Sequence, residues 1–455
     1  MNDPIVSRQE SFLFDRHRSL PSPPDSAAQM SFQFMSFPAM LSWYILIGPP
    51  GHQPKRLMLD ISERPLPRQT AAVDDVMTAE SQGHPRRISS GTRIPEIDGG
   101  RGLAALAVVL AHYFGEVAHG LPGFTVGWMG VNLFFVLSGF LIGSIILERK
   151  GCSNFFSVFY IRRTLRIFPA YFTALALTLG FIWLHGPAPW IGPPLPALSY
   201  FTFTQNFVMA LRGDYGAPWL LPTWTLAVEE QFYLVIPLII TLLPSRWLLP
   251  AIIGGIAIGC IARALFYLNG SEIAGQVLLL SRCDILLTGI LAAYVHRRFM
   301  PSELLLRLIP LAAVAAVLLA VFQFRASGGT LLFIVSPLLM AFLFASYLLL
   351  TARGWPQFRF LRSRFWQMFG TISYSLYLIH QPIAGALHGL ILDGRPDIGT
   401  VPQVMVTFAA LLLSIAFALA SSRLMEAPLL RLGRTWRYDG QMIVGPSKVD
   451  APRSA

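Results

Sequence analysis

The chain has 455 residues, of which 54% are hydrophobic and 13% are charged, and its formal net charge is +11. Soluble domains contain about a quarter charged residues, so this composition excludes an ordinary soluble globular protein and indicates a polytopic membrane protein. The excess arginine lies in short segments between apolar runs. In these segments, arginine residues indicate the orientation of the protein in the membrane and can bind anionic headgroups or phosphates, so they do not indicate nucleic-acid binding.

The cysteines and histidines predict neither disulfides nor a metal site. The chain has three cysteines, Cys152, Cys260 and Cys283, and no C-x-x-C spacing. The histidines do not cluster with carboxylates at metal-ligand spacing on one helix.

The two ends of the chain differ in composition from the middle. Residues 1–92 are rich in Pro, Ser, Gln and Arg, which predicts a disordered cytoplasmic N-terminal extension. An apolar piece at 34–47 is too short to span a bilayer and does not have the form of a signal peptide. We expect a transmembrane domain over 93–435 and a cytoplasmic C-terminal tail over 436–455.

Ten apolar segments, each about 20 residues long, predict an all-α protein with about ten transmembrane helices. If the N-terminus is cytoplasmic, about thirteen Lys and Arg residues fall in inward connections and about four in outward ones, so both termini are predicted inside. The outward charges are Arg212, Arg263, Arg325 and Arg395. The predicted spans are 99–118, 126–146, 165–185, 222–243, 247–267, 275–296, 304–323, 328–351, 367–391 and 400–426.

The first span carries two ionisable residues that a membrane helix should avoid. Arg101 lies at the predicted entry into the bilayer, and His112 lies deep inside. Eleven residues correspond to about 1100° of helix, so both fall on one face, ~16 Å apart along the axis. An ionisable group at that depth needs a partner or a wet cavity, which makes this helix face a candidate functional site.

Four further ionisable residues are predicted at a depth similar to that of His112. They lie in the fourth, sixth and ninth spans, and we expect them to share a polar cavity with His112. A second group lies at the inner surface, where Arg163 and Arg166 are three residues apart and so adjacent on a helix face. Arginine suits bidentate phosphate contacts, so this pair favours a phosphate-bearing ligand. The four residues at depth are Glu229, Arg282, Asp284 and His380.

Five motifs in this order resemble the membrane-bound acyltransferase family 3, whose members O-acylate bacterial polysaccharides. They are IDGGRGLAALAVVLAHYF, GVNLFFVLSGFLI, RRTLRIFPAY, WTLAVEEQFY and GTISYSLYLIH, within residues 93–435. The resemblance implies a bacterial inner-membrane enzyme that transfers an acyl group, commonly acetyl, from cytoplasmic acyl-CoA to a glycan or glycolipid hydroxyl. It also implies functional positions at the Arg101-x10-His112 pair, the Arg163-x-x-Arg166 pair, Glu229 and the Tyr374/Tyr377/His380 segment.

The chain departs from the family pattern at three positions. Asn132 stands where Asp is usual, Thr225 where Ser is common, and Gly100 where Leu is common. Some relatives carry a hydrolase-like domain after the last span. This chain ends about thirty residues beyond its tenth predicted span, so we expect no such domain.

The sequence supports a mechanistic hypothesis for acyl transfer. His112 is predicted to be the general base, oriented by Glu229, because imidazole titrates near neutral pH. The predicted donor contacts are Arg101, Arg163 and Arg166, which would hold the phosphates of acetyl-CoA or another acyl-CoA. Direct transfer and an acyl-histidine relay both stay open. The predicted substrate contacts are Arg282, Asp284, Tyr374, Tyr377 and His380.

A secondary transporter that exports a glycolipid or small organic acid is the alternative function. Charges in mid-membrane are also typical of transporters. However, the chain shows no internal repeat, and transport gives no reason for the two arginine-containing pairs.

Overall fold

The computed structural model describes residues 94–299 and 330–439, together with residues 302, 308, 310, 311 and 314. The predicted extension 1–92, most of the predicted span 304–323 and most of the predicted tail 436–455 therefore lie outside the described residues.

Every regular element in the described part of the chain is helical. Two π-helical turns, Ala111–Gly115 and Ser422–Glu426, continue α1 and α12, and 3₁₀ turns cover Pro122–Trp128, Pro218–Leu220 and Pro356–Arg362. The α-helices are α1 Pro95–Leu110, α2 Met129–Arg149, α3 Phe155–His185, α4 Ala197–Phe201, α5 Gln205–Arg212, α6 Thr223–Leu242, α7 Ser245–Leu268, α8 Glu272–Val277, α9 Leu279–Arg298, α10 Thr330–Ala352, α11 Arg364–Leu392, α12 Val401–Ser421 and α13 Ala427–Thr435.

Eight helical segments of the described residues are long and apolar enough to cross a membrane, so the protein is a polytopic membrane protein. All eight coincide with predicted spans. The first predicted span is also helical, as α1 and its π turn, but it is not among the eight. The eight segments are Pro122–Arg149, Phe155–His185, Pro218–Leu242, Ser245–Leu268, Glu272–Arg298, Phe333–Ala352, Arg364–Leu392 and Val401–Thr435.

The C-terminal end of α9 and the start of α10, which flank the predicted span 304–323, lie at opposite ends of the bundle. At the C-terminal end of α9, Arg297 lies 3.9 Å from Glu148, which is at the C-terminal end of α2. Near the start of α10, the ring of Phe333 packs 5.8 Å from the ring of Tyr267, at the C-terminal end of α7. The predicted span between them stays a prediction.

Helix α1 is packed closely against α11 because glycine lies at their crossing. A Cβ atom at Gly102 would lie 2.5 Å from the carbonyl oxygen of Trp366 and 2.6 Å from the backbone nitrogen of Gly370, so only glycine fits there. Helices in membranes associate through such small residues, since lipid tails are as apolar as the side chains themselves. At the neighbouring Gly100, a side chain would overlap Tyr347, whose hydroxyl donates to the Glu96 carbonyl at 2.7 Å.

The long connection between α3 and α6 folds back onto the bundle through two short helices. In α5, Gln205 Nε2 donates to the carbonyl of Thr223 at 2.8 Å, and Asn206 Nδ2 donates to the carbonyl of Val277 at 3.1 Å. Both side chains are fully buried. These bonds tie the connection to α6 and to the α8 region, so this end of the bundle is covered by protein.

The residues that follow α13 pack against the loop between α2 and α3. Arg162 donates through Nε to the carbonyl of Trp436 at 3.0 Å, and Asn154 donates to the carbonyl of Arg437 at 2.9 Å. The ring of Tyr438 lies beneath the guanidinium of Arg162, 5.1 Å away. The first residues of the predicted C-terminal tail are therefore held beside the start of α3.

Candidate functional site

A cavity opens between α1, α2, α3, α6 and α11. Its walls are mostly apolar with a few convergent polar groups, as is typical of a site for a small molecule. Six predicted site residues from four separate motifs line it, namely Arg101, Arg163, Arg166, Glu229, Tyr374 and Tyr377. The other polar lining residues are Ser138, Thr225, Tyr233 and Ser373.

The three arginines of this cavity form no ion pair with any carboxylate in the described part of the chain. Arg101 Nη2 donates to Ser373 Oγ at 3.2 Å, across the α1–α11 contact. The guanidinium of Arg163 lies over the Tyr233 ring, 5.2 Å from its centroid. Most of their N–H donors therefore form no hydrogen bond with the described residues, which suits an anionic ligand such as a phosphate.

Glu229 lies on the arginine side of the site. Its Oε2 accepts a hydrogen bond from Tyr233 Oη at 3.0 Å, and Tyr233 Oη also contacts the hydroxyl of Ser138. Within the described residues, the hydrogen bonds and ion pairs of His112 go to other groups. The predicted pairing of Glu229 with His112 stays a prediction.

The structure brings together the two histidines that the sequence analysis placed at one depth. His112 Nδ1 lies 2.9 Å from His380 Nε2, within hydrogen-bonding distance. The two rings are nearly coplanar, at 23° to each other, with centroids 5.0 Å apart. That separation corresponds to rings that meet edge to edge. His380 is completely buried, whereas part of the His112 side chain is exposed.

The backbone around His112 is a π-helical turn, Ala111–Gly115, at the end of α1. Single π turns inside helices are often found at functional sites. The turn places His112 Nε2 3.5 Å from Oε2 of Glu116, which is partly exposed. The next residue, Tyr113, donates to the carbonyl of His380 at 2.7 Å and thereby fastens the turn to α11.

Two tyrosines of α11, Tyr374 and Tyr377, line the cavity. Tyr377 Oη lies 3.0 Å from Thr225 Oγ1, and its ring centroid is 5.9 Å from that of His380. Tyr374 Oη donates to the carbonyl of Ile167 at 2.9 Å and ties α11 to α3. Tyr377 therefore links the cavity to the histidine pair. Thr225 keeps the hydroxyl of the more common serine and uses it in this contact.

Arg282 and Asp284 do not line this cavity, and neither do His112 and His380. The Asp284 carboxylate accepts hydrogen bonds from both terminal nitrogens of Arg263, at 2.9 and 2.7 Å, and both residues are fully buried. The sequence predicts that all the buried ionisable groups share one cavity. The structure does not show this arrangement, because α7 and α9 pack Asp284 against Arg263.

Arg282 is buried, and few contacts offset the cost of burying its charge. Its Nε donates to the carbonyl of Gln276 at 2.6 Å, and its guanidinium lies 5.7 Å from the ring centroid of Trp224. No carboxylate in the described residues forms an ion pair with it. A buried cation without a counter-ion is costly in a membrane, so its position is a candidate for an anionic or polar ligand group.

The sequence analysis missed several residues that contact the candidate site. Glu116 and Tyr233 each follow a predicted site residue by four positions, a helical spacing that identifies them as neighbours. Arg263 was counted as an outward loop charge, which is wrong, because it lies inside α7 and pairs with Asp284. No spacing rule connects residues on two different helices.

Among the described residues, no group of three or more His, Cys, Asp or Glu side chains could hold a metal ion.

A family model described as an acyltransferase domain, that of acyltransferase 3, matches residues 94–423. This range covers most of the chain and includes all the residues that line the cavity. The chain belongs to the acyltransferase 3 family. No solved structure was found to match it.

Curated relatives of this acyltransferase 3 protein include O-acetyltransferases. It is 25% identical over 368 residues to O-acetyltransferase OatA of Staphylococcus aureus, which covers 75% of this chain and 58% of that protein. It is 31% identical over 193 residues to peptidoglycan O-acetyltransferase OatA of Listeria monocytogenes, covering 39% of this chain and 30% of that one. A putative peptidoglycan O-acetyltransferase of Bacillus subtilis, YrhL, is 32% identical over 172 residues, 35% of this chain and 26% of that one. The chain thus spans less than two thirds of the length of these relatives.

Proposed function

We propose that this acyltransferase 3 protein is a membrane O-acetyltransferase of the bacterial plasma membrane, and that it moves an acetyl group from acetyl-CoA to a hydroxyl of an extracytoplasmic or lipid-linked glycan. The observation that carries the proposal is the cavity whose three arginines have no carboxylate partner in the described residues, at the end of the bundle where α1 begins. The printed names of the relatives make cell-wall peptidoglycan the first acceptor to test.

The donor binds at the arginine end of the cavity. Arg101, Arg163 and Arg166 contact the phosphates of CoA, since guanidinium groups bind phosphate oxygens in bidentate fashion. The thioester then points along α1 toward His112, ~16 Å further along the helix axis. With the N-terminus inside, as predicted, this end faces the cytoplasm, where acyl-CoA is made.

His112 is the general base of the transfer. It accepts the proton of the acceptor hydroxyl as the oxygen attacks the thioester carbonyl. The C–S bond then breaks, and the CoA thiolate leaves and takes the proton back from the imidazolium, so the products are the acetyl ester and CoA. Glu229 acts on the donor side, where it and Tyr233 support the arginines.

The acceptor contacts lie toward the histidine end of the cavity. Tyr374 and Tyr377, which line the cavity, bind the acceptor or support the developing oxyanion, and Arg282 binds a polar or anionic group of the glycan. Asp284 acts indirectly, because its pair with Arg263 fixes the start of α9, from which Arg282 projects.

The test is acetyl transfer by membranes that contain the wild-type chain or His112→Ala, at matched expression, with labelled acetyl-CoA and peptidoglycan fragments. We expect wild type to release CoA and to label the glycan, and His112→Ala to lose at least about 100-fold of that rate, as removal of a general base does. Arg163→Ala should raise KM for acetyl-CoA. Its matched control is Arg364→Ala, an exposed arginine at the start of α11 that lies outside the cavity.

Wild-type membranes that release no CoA with any acyl-CoA in the presence of glycan would contradict the proposal and favour the transporter alternative. If CoA is released equally by wild type and His112→Ala, the enzyme class stands and the role of His112 is wrong.

A further inference from the structure

The proton positions of the histidine pair follow from one fixed point, the δ nitrogen of His380. His380 Nδ1 lies 2.8 Å from the carbonyl oxygen of Tyr377 and 3.2 Å from that of Leu376, both in its own helix α11. Carbonyl oxygens only accept hydrogen bonds, so Nδ1 of His380 carries the hydrogen.

The hydrogen on His380 determines the hydrogen on His112. His380 is fully buried and forms no ion pair with a carboxylate in the described residues, so its imidazole is neutral and its Nε2 is a bare acceptor. The atom 2.9 Å from that acceptor is His112 Nδ1, which must therefore be the donor. A neutral His112 with hydrogen on Nδ1 has its lone pair on Nε2.

The bare nitrogen of His112 lies on the ring edge away from His380. Glu116 Oε2 lies 3.5 Å from this Nε2 atom, and the His112 side chain is partly exposed. The other titratable groups that face the pair are Tyr113 and Tyr377, whose ring centroids lie 6.1 and 5.9 Å from that of His380.

We propose that His380 is a positioning residue that acts through His112: its carbonyl-anchored imidazole holds His112 in the Nδ1–H tautomer, so that Nε2 is the atom that takes the acceptor proton. The inference rests on the proposed function and deepens it. It assigns to a neutral histidine the orienting task that a carboxylate performs in a Ser-His-Asp triad. When Nε2 is protonated, the Nδ1–H of the imidazolium still donates to His380, now as a charge-assisted bond that stabilises the cation.

The first test compares His380→Leu with His380→Gln. Leucine fills the space without an acceptor, whereas the glutamine amide oxygen can take the place of Nε2. We expect His380→Leu to lower kcat about 100-fold or more, to leave KM for acetyl-CoA within about twofold, and to change the pH profile of kcat/KM. His380→Gln should recover at least about tenfold of the lost kcat. These magnitudes follow from general-base catalysis with a wrongly oriented base.

The matched control is His388→Leu. His388 is also buried on α11, but its Nε2 bonds Thr407 Oγ1 at 2.9 Å, away from His112. We expect its kcat and pH profile to match those of wild type. A His380→Leu protein that keeps the wild-type kcat and pH profile would overturn the inference, as would a His380→Gln protein no better than His380→Leu.

A second measurement does not depend on activity and observes the wild-type protein directly. Imidazole ¹⁵N chemical shifts of the wild-type protein in lipid bilayers distinguish Nδ1–H from Nε2–H histidines, and His112→Ala assigns the signals of His112 among the nine histidines. Nδ1–H on both His112 and His380 is the expected result. Nε2–H on His112 would refute the inference even if the acetyl-transfer activity is present. Absence of that activity alone would refute the proposed function and not the tautomer.

Discussion

At the level of single residues, an ionisable side chain that is buried in the membrane needs a partner to offset the cost of burying its charge. Arg263 and Asp284 satisfy one another through two hydrogen bonds, and Arg263 also donates to the carbonyls of Ser281 and Ile334, each at 2.9 Å. The arginines of the cavity have no such carboxylate partner in the described residues. The first arrangement is typical of a structural pair, whereas the second is typical of a ligand site.

This difference predicts how the Arg263–Asp284 pair responds to mutation. Arg263→Met leaves a buried carboxylate unpaired, so we expect the free energy of unfolding to fall by about 3–5 kcal/mol. The double variant Arg263→Met/Asp284→Leu should recover most of that loss, because no charge is left buried alone. Unfolding in detergent can be followed by the fluorescence of the ten tryptophans. A double variant less stable than either single variant would argue against a structural pair.

At the scale of the helices, the site depends on how closely α1 and α11 approach. The Arg101–Ser373 and His112–His380 contacts both cross this one interface, where the two backbones approach closely at Gly102. Any side chain larger than hydrogen at that point must move one helix relative to the other. The glycine therefore controls the geometry of both ends of the site.

We expect Gly102→Ala to lower the free energy of unfolding by about 1–3 kcal/mol, as overpacking does, and to lower acetyl-transfer activity with it. The matched control is Gly180→Ala in α3, where an added Cβ meets nothing within 4 Å. Alanine there should leave activity unchanged and raise stability by up to about 1 kcal/mol, because it favours helix more than glycine does. Equal effects of the two substitutions on stability and activity would show that the α1–α11 approach is not critical.

At the scale of the whole molecule, the direction of each helix is consistent with a single orientation in the membrane. The loop between α2 and α3 lies at the end of the bundle where α1 begins, and the connection between α3 and α6 lies at the other end. The positive-inside bias predicts that the first of these ends is cytoplasmic. The donor site and the acceptor site would then face opposite sides of the membrane, which fits transfer across it.

Cysteine labelling checks this orientation. In a background without Cys152, Cys260 and Cys283, we compare Gly151→Cys in the α2–α3 loop with Arg212→Cys at the end of α5, both exposed positions. A membrane-impermeant maleimide should label Arg212→Cys in intact cells, and Gly151→Cys only after the membrane is permeabilised. The reverse pattern would invert the topology and place the arginine cavity outside the cell.

The positions of the helices and the residue types of the site could be predicted from the sequence. Apolar runs of about 20 residues must be helical in a bilayer, because no water is present to satisfy an exposed backbone, and the eight spans of the described residues lie at predicted positions. The five motifs likewise indicated the family, and helical spacing placed Arg101 and His112 on one face.

Which of these residues contact one another depends on how the helices pack, and this could not be predicted from the sequence. Rotation and depth of one helix against another depend on close packing at points such as Gly102, which no periodicity within a single helix records. Packing paired His112 with His380, left Glu229 beside the arginines, and enclosed Asp284 with Arg263 in α7. The sequence shows that a charged residue lies within a membrane span. Its partner lies on another helix, so the packing of the helices determines which residue that partner is.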